Sequence, residues 1–215
     1  MTHQPVRITF LIFCLLIFLT GCASLPLHSA SDLLLAESFD LKPGEMDTYS
    51  RDTGSAGQQD GEFQIRVLVP NYMQWSLVHL NASDAVIQVQ TRKAGGPDDN
   101  LMGVICRYQD DLNFYFMVIS SDGYYGIGRM LKGERTLLTG QTLLPSVWVQ
   151  GGNAVNTLKV TCSGSRLSLE VNGEALASVE DTSLTDGQAG LLAGDFGDAG
   201  ADIRFDNLII NRSSQ

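Results

Sequence analysis

Hydrophobic and polar residues alternate along most of this chain. In "EFQIRVLV" (residues 62–69) nearly every second position is apolar, and the same period of two recurs in "AVIQVQTRK" (85–93), "NTLKVTC" (156–162), "SRLSLEV" (165–171) and "ADIRFDNLII" (201–210). Successive side chains of a β-strand point to opposite faces, so this period predicts strands that bury one face in a core. No helical periodicity extends beyond two turns, and the sequence therefore favours an all-β fold.

Turn signals separate these alternating segments. They are "QDDLN" (109–113), "SSDG" (120–123), "KGE" (132–134), "CSGS" (162–165) and "VNGE" (171–174). Asn172-Gly173, between two alternating segments, is the strongest short-range indication of a β-hairpin. About a dozen short strands with turns at roughly 8–12-residue spacing are typical of a two-sheet antiparallel jelly-roll sandwich. With no internal repeat, residues 33–212 are predicted to form one β-sandwich domain.

A basic residue and an apolar run stand at the N-terminus. Arg7 precedes the run Ile8–Leu19, and Thr20-Gly21-Cys22 follows it. This arrangement is typical of a secretory signal peptide, and the run is shorter than the roughly 20 residues of a membrane span. "LTGC" (19–22) resembles the lipobox of bacterial lipoproteins, which implies that residues 1–21 are removed and that Cys22 is lipidated. An ordinary signal peptide cleaved elsewhere is the alternative.

The lipobox resemblance implies a location in the bacterial cell envelope. Residues 22–32 would be the lipidated N-terminus and a short tether, with the acyl chains on Cys22 as the link to the membrane. Ala23 resembles the residue found in lipoproteins sent to the outer membrane, if the cell has one; otherwise the extracytoplasmic face of the plasma membrane is expected. The formal net charge of −10 argues against nucleic acid as a partner.

Two of the four cysteines are predicted to form a disulfide. Cys14 lies in the signal segment and Cys22 is the lipidation site, which leaves Cys106 and Cys162 in strand-like segments. In the oxidising environment of a secreted chain such a pair is typically bonded. Two buried free thiols are the alternative.

Longer segments resemble a known group of extracellular modules. "ICRYQDDLNFY" (105–115), "SSDGYYGIG" (120–128) and the stretch from "NTLKVTC" to "GLLAG" (156–194) are similar to concanavalin A-like and laminin G-like jelly rolls, a group that includes the 3-keto-disaccharide hydrolase-like domains. The resemblance covers about residues 37–210. It implies two antiparallel sheets with a concave face, frequent binding of glycans or proteins, and enzymatic activity in some branches only.

Catalytic motifs are absent from the sequence. Glucanases of the concanavalin A-like fold carry E-x-D-x-x-E on one strand, and the nearest match is Glu45-Met46-Asp47 with Ser50 in place of the second glutamate. There is no G-x-S-x-G motif, and His79 in "WSLVHL" has no recognisable triad context. No catalytic residue is therefore predicted, and binding is favoured over catalysis.

Aromatic residues and arginines are the candidates for a binding site. The segment "NFYFMVIS" (113–120) is apolar at both odd and even positions, so one face is expected in the core and the other under loops or along a groove. Carbohydrate sites combine aromatic walls with a few polar anchors. The predicted ligand-binding residues are Arg107, Tyr108, Tyr124, Tyr125 and Arg129, with Trp75 and Trp148 behind them. A core or sheet-surface role is the alternative for each.

Aspartates occur in two settings. Asp110, Asp111 and Asp122 are predicted to form turns, because aspartate side chains cap nearby backbone N–H groups. In "AGDFGDAGADIRFDN" (193–207) a structural calcium site is a further hypothesis, since carboxylate oxygens suit this ion. Its spacing matches no EF-hand loop, and solvated acids in Gly-rich turns are the alternative. The residues concerned are Asp195, Asp198, Asp202 and Asp206.

The predicted function is that of a membrane-anchored envelope lipoprotein whose β-sandwich binds a carbohydrate or an envelope protein without catalysis. A glycoside hydrolase or lyase of the 3-keto-disaccharide hydrolase-like type is the alternative, and it requires an acid or base beside a pocket. A structural assembly module is the third hypothesis, and it requires a large exposed apolar patch. No cofactor other than calcium is expected.

Overall fold

A computed structural model describes residues 32–40 and 44–213. The predicted signal peptide, Cys22 and nearly all of the tether lie outside these ranges. Within them no helix is long and apolar enough to cross a membrane. The described chain forms sixteen strands: β1 (Leu33–Glu37), β2 (Tyr49–Arg51), β3 (Gly54–Gln59), β4 (Glu62–Val67), β5 (Met73–Asn81), β6 (Ala85–Gly95), β7 (Asn100–Asp110), β8 (Asn113–Ile119), β9 (Tyr124–Leu131), β10 (Glu134–Leu137), β11 (Leu144–Pro145), β12 (Asn156–Ser163), β13 (Arg166–Val171), β14 (Glu174–Glu180), β15 (Gln188–Asp195) and β16 (Asp202–Arg212).

The strands form two antiparallel sheets. Sheet 1 has nine strands in the order β14-β13-β12-β6-β16-β4-β3-β2, with β1 also paired to β16. Sheet 2 has seven strands in the order β10-β9-β8-β7-β15-β5, with β11 also paired to β9. The all-β, two-sheet jelly-roll sandwich predicted from the sequence is confirmed.

The main core lies between the sheets and follows from the alternation in the sequence. In β12 and β13 every second residue is buried, as the period of two predicts. Sheet 2 contributes the opposite layer, including Val104, Met117 and Leu191, each with no exposed surface. Burial of one such side chain stabilises the fold by about 1.5–3 kcal/mol.

A disulfide joins the two sheets through this core. The Sγ atoms of Cys106 on β7 and Cys162 on β12 are bonded, and both residues are fully buried. The predicted disulfide is confirmed. It fixes the spacing of the sheets at the end of the sandwich that also holds the turn between β12 and β13.

The predicted hairpin turn is confirmed as well. Val171 pairs with Glu174, which leaves Asn172 and Gly173 as a two-residue loop. Both have positive φ, 54° and 89°, the combination that matches the twist of a two-residue hairpin. The Asn172 side chain also accepts the N–H of Thr157 and donates to the carbonyl of Trp148, so the turn holds the adjoining loop.

Candidate functional site

The outer face of sheet 2 carries a second apolar cluster that fills half of that face. Glycines on β9 make room for it: a Cβ atom on Gly128 would lie 2.2 Å from Cζ of Phe116, and one on Gly126 would lie 2.6 Å from Cδ2 of Leu143. Because these side chains occupy the space above β9, a ligand is excluded there. Both faces of β8 are apolar, as predicted. The buried members of the cluster are Leu101, Ile105, Phe114, Phe116, Val118 and Leu192.

A β-bulge in β7 determines that Tyr108 reaches the open half of this face, the half that the apolar cluster leaves uncovered. Gly190 pairs with Ile105 and Gln188 pairs with Tyr108, so two residues of β7 stand opposite one residue of β15. Arg107 occupies the bulge with φ of 52°, in the left-handed region. Strict alternation would turn Tyr108 inward beside Cys106, but the extra residue returns it to the outer face. The bulge therefore places Tyr108 in the site.

Two aromatic rings, Trp75 and Tyr108, form the floor of the open half, and a third, Phe114, lies against both. Trp75 of β5 lies 5.3 Å from Phe114 and 6.4 Å from Tyr108, measured between ring centroids, and Tyr108 lies 5.8 Å from Phe114. The buried Phe114 thus supports both partly exposed rings from below. The Tyr108 hydroxyl donates a 2.5 Å hydrogen bond to Asp111 Oδ1, which fixes its direction. The floor rings are thus held by packing and by a hydrogen bond within the protein.

A segment from outside the sheets forms the wall. Residues 45–47 run antiparallel to β5: the N–H of Asp47 donates to the carbonyl of Leu77, and the N–H of His79 donates to the carbonyl of Glu45. The chain then crosses to sheet 1 as β2. Asp47, Tyr49 and Arg51 consequently rise beside Trp75 and close one side of a groove.

The groove between floor and wall has a volume of about 380 Å³. Tyr72 and Met73 complete one end, and Asp111 completes the other. A wider depression of about 620 Å³ lies over β12–β14 on sheet 1, but its lining contains no aromatic residue. The groove is therefore the better candidate for a site that binds a specific small ligand.

Burial and local charge shape the groove's ionisable groups. Burial raises the pKa of Tyr49 to about 12, against the opposing charge of Arg51. Burial, followed by the hydrogen bond to Asp111, raises the pKa of Tyr108 to about 12. Both phenols are neutral over the physiological pH range, and the buried Tyr49 hydroxyl has no hydrogen-bond partner among the described residues. Asp47 is paired with His79 at 2.6 Å between Oδ1 and Nε2.

Arg107 is not a ligand-binding residue, which corrects the prediction from the sequence. It is 1% exposed and donates to the carbonyls of Ser83 at 2.9 Å and Leu184 at 3.0 Å, and to Asp84 Oδ1 at 2.8 Å. The bulge turns its side chain toward the end of the sandwich. There it ties together two loops through their backbone carbonyls, so its role is structural.

Arg129 is engaged within the fold and does not line the groove. Its Nη1 donates to Asp181 Oδ2 at 2.5 Å and to Ser183 at 2.6 Å, and Tyr115 donates to the other oxygen of Asp181 at 2.6 Å. Burial raises the pKa of Asp181, but the hydrogen bonds from Tyr115 and Ser183 and the charge of Arg129 outweigh it and lower the pKa. This network fastens the segment after β14 to sheet 2.

The other predicted aromatic residues lie outside the groove. Tyr124 is 38% exposed and lines a separate small depression with Asp99 and Asp122. The Tyr125 hydroxyl donates to the carbonyl of Leu176, and its ring packs against the main core. Trp148 is 51% exposed on the loop before β12. Of the seven candidates, the structure brings only Trp75 and Tyr108 together.

The four aspartates proposed as calcium ligands do not meet at one point, although Asp198 lies near enough to Asp195 to contribute to the raised pKa of that carboxyl. Asp202 binds Gln64 and Arg204, and Asp206 accepts the N–H of Asn207. Asp195, 2% exposed, accepts the N–H of Tyr72 at 3.4 Å. Across the described ranges, no three acidic, histidine or cysteine side chains are placed to hold a metal ion together. The arrangement gives the four-aspartate calcium hypothesis no support.

Sequence reasoning missed most of the wall. It considered the segment around Asp47 only as an incomplete glucanase motif, and it assigned Asp111 to a turn. The turn role holds for Asp110, whose Oδ1 accepts the N–H of Leu112, whereas Asp111 faces the groove. The alternation of Tyr49 and Arg51 was a usable signal, but only the pairing with β5 shows which surface they border.

Comparison with known proteins identifies the fold and no family. No protein-family model matches the sequence, and no curated protein matches it. Many solved structures share the fold. The carbohydrate-binding module CBM66 from Bacillus subtilis aligns with a TM-score of 0.64 and 15% identity, over 79% of this chain and 97% of that one.

Two further structures show the range of proteins with this architecture. The GH43 BlXynB protein from Bacillus licheniformis aligns with a TM-score of 0.63 and 13% identity, over 83% of this chain and 39% of that one. A protein of unknown function with a galectin-like fold from Bacillus subtilis aligns with a TM-score of 0.58 and 10% identity, over 84% of this chain and 96% of that one. The chain therefore has the jelly-roll sandwich fold found in carbohydrate-binding and glycoside hydrolase proteins.

Proposed function

We propose that this chain is a non-catalytic carbohydrate-binding domain whose ligand lies in the groove between β5 and the wall segment. The observation that carries the proposal is the pair of rings, Trp75 and Tyr108, held side by side at the groove floor. A sugar ring presents an apolar C–H face to an aromatic ring and directs its hydroxyls to polar groups at the edge. Asp47, Arg51 and Asp111 are available at that edge.

The size and rigidity of the groove suit this role. Its volume of about 380 Å³ falls within the roughly 300–1,000 Å³ typical of small-molecule sites. The floor rings are fixed by Phe114 and by the hydrogen bond to Asp111, so little conformational entropy is lost when a ligand stacks on them. The fold shared with CBM66 is consistent with this assignment.

Binding is favoured over catalysis because the groove carboxylates are already engaged. Asp47 is paired with His79, and Asp111 accepts the hydroxyl of Tyr108. A glycosidase needs two carboxyl groups that face the scissile bond, whereas here one is directed at a histidine and the other at a tyrosine hydroxyl. Two carboxylates do border one groove, however, and that observation keeps a glycoside hydrolase or lyase as the second candidate.

We further propose that Cys22 is lipidated and anchors the domain in the bacterial envelope. The lipobox-like "LTGC" supports this, as does the disulfide, which is typical of chains exported to an oxidising compartment. The short tether would keep the sandwich close to its membrane. Labelling of the expressed chain with a radioactive fatty acid, with Cys22→Ser as the control, tests the anchor.

The test of carbohydrate binding is a glycan-array screen followed by calorimetry. Glycans bound by the purified protein are titrated into the wild type, Trp75→Ala and Trp148→Ala. We expect Trp75→Ala to abolish binding and Trp148→Ala, which alters an exposed tryptophan outside the groove, to leave it unchanged. A folded protein that binds no glycan overturns the proposal and favours an envelope protein partner. Release of a shortened glycan, lost in Asp47→Asn, would favour the hydrolase.

A further inference from the structure

The charged groups of the groove differ in whether they already have partners. Asp47 pairs with His79, and Asp111 accepts the hydroxyl of Tyr108. Arg51 has no carboxylate within ion-pair distance in the part of the chain that the structure describes. Arg51 is therefore the one cation among the described residues that line the groove, although the whole chain has a net charge of −10.

Arg51 is held in position by an aromatic ring. Its guanidinium carbon lies 4.7 Å from the centroid of the Tyr49 ring, within the range of a cation–π contact. Tyr49 is in turn packed against the main core, so the ring is a fixed support. A stacked guanidinium keeps its N–H donors free at the edge, and less side-chain entropy is lost when those donors bind a ligand.

The guanidinium and the aromatic floor border the same groove. Arg51 stands on the wall while Trp75 and Tyr108 form the floor, and all three line the one cavity. A planar guanidinium matches the geometry of a carboxylate through two parallel hydrogen bonds. A ligand that offers an apolar ring face to the floor and a carboxylate to the wall satisfies both surfaces together.

We propose that the groove selects a saccharide that carries a carboxylate, such as a uronic acid, and that Arg51 binds the carboxylate while Trp75 and Tyr108 stack on the sugar ring. This inference rests on the proposed carbohydrate-binding function and adds the substrate class. Because the chain as a whole is acidic, it does not attract anions at long range, and selection depends on the local contact with Arg51.

The experiment compares ligands that differ only in charge. Calorimetry measures binding of a galacturonic acid oligosaccharide, its methyl ester and a galactose oligosaccharide of equal length to the full chain. We expect the acid to bind about tenfold more tightly than the ester, the gain typical of a charge-assisted hydrogen-bonded pair. Arg51→Gln should remove this preference, so that the acid binds no more tightly than the ester, and Arg51→Lys should retain part of it.

A control variant at a second exposed arginine and a sulfated ligand distinguish failure of this inference from failure of the proposed function. Arg135 is also exposed and lies on β10, on the opposite edge of sheet 2, so Arg135→Ala should leave all affinities unchanged. Equal affinities for acid and ester in the wild type, or a preference that survives Arg51→Gln, overturn the inference while carbohydrate binding stands. Tighter binding of a sulfated galactose oligosaccharide than of the acid overturns the assignment to carboxylates. If no saccharide binds, the proposed function itself falls.

Discussion

Trp75 and Tyr108 belong to strands that are not neighbours in the sheet, yet their ring centroids lie 6.4 Å apart on one face. Strand β15 runs between β5 and β7, and the bulge at Arg107 is what turns Tyr108 toward that face. The same arginine is anchored to Ser83, Asp84 and Leu184 at the end of the sandwich. The candidate binding surface thus depends on the contacts of a buried arginine that does not line the groove.

Substitutions at Tyr108 separate stacking from hydrogen bonding. Tyr108→Phe keeps the ring but removes the hydroxyl, which bonds Asp111 and Trp75 within the protein. Because these bonds only hold the rings in place, a glycan bound by the wild type should lose no more than about tenfold in affinity. Tyr108→Ala removes the ring and should reduce affinity much further. Calorimetry on both variants provides the measurement. Equal losses would show that the ring does not stack on the ligand.

Removal of Arg107 should destabilise the fold strongly. Arg107→Ala leaves two buried carbonyls and the Asp84 carboxylate without this donor, and a loss of about 3 kcal/mol in unfolding free energy is expected. Urea unfolding measures this loss. Backbone strain cancels in the comparison, since alanine and arginine are both L-residues at the same positive φ. Arg135→Ala, an exposed arginine, should change stability by less than about 0.5 kcal/mol. A small effect at Arg107 would contradict the structural role assigned to it.

The disulfide should contribute substantially to stability. Cys106 and Cys162 are 56 residues apart, and the loop-entropy relation gives roughly 4 kcal/mol for a loop of this length. Urea unfolding with and without a thiol reductant is expected to show a difference of that order. The double variant Cys106→Ala/Cys162→Ala should be less stable and insensitive to reductant. A wild type that is unaffected by full reduction would contradict the prediction.

Asp195 should destabilise the protein at neutral pH. Burial raises the pKa of this carboxyl above its usual value of 3.8, and its Oδ2 has no hydrogen-bond partner among the described residues. The folded state therefore favours the protonated form, and that stabilisation is lost as pH rises through the raised pKa. Asp195→Asn should unfold at a higher temperature than the wild type at neutral pH. The advantage should shrink as pH falls toward the usual carboxyl pKa.

Asp181 should show the opposite pH dependence. Its pKa is lowered, so it stabilises the fold above the usual carboxyl pKa, and this contribution is lost as pH falls through the lowered value. Asp181→Asn should lower the free energy of unfolding by about 1.5–3 kcal/mol at neutral pH, the value of a hydrogen bond to a charged group. The two aspartate variants serve as mutual controls in one series of thermal melts. Parallel pH profiles for the pair would contradict both assignments.

Local patterns were sufficient to predict most of the fold. The strands, the Asn172-Gly173 turn and the Cys106–Cys162 bond each depend on a period, a dipeptide or a compartment, and all are visible in the sequence. The bulge at Arg107 is different, because its conformation is maintained by contacts with residues 83, 84 and 184 that only the folded chain brings together. An arginine at a positive φ gives no local signal of the kind a glycine gives.

Of the candidate site, the sequence predicted only the two aromatic residues of the groove floor. Trp75 was recognised as an aromatic candidate, but the wall required knowledge that residues 45–47 pair with β5 through a single isolated bridge. Arg129 looked like an anchor because its partners, Asp181 and Ser183, lie more than fifty positions away in the sequence. An arginine that is free to bind a ligand and one that is bound within the fold look alike in the local sequence. Only the tertiary contacts distinguish them.

The wall segment also covers the free edge of β5. A bare outer strand offers a row of unpaired N–H and C=O groups on which another chain can add as a strand, and residues 45–47 occupy part of that row. Displacement of this segment would expose a template for β-sheet extension between molecules. The same few residues thus protect the edge of β5 from self-assembly and form one side of the groove. A change that loosens the wall would weaken both.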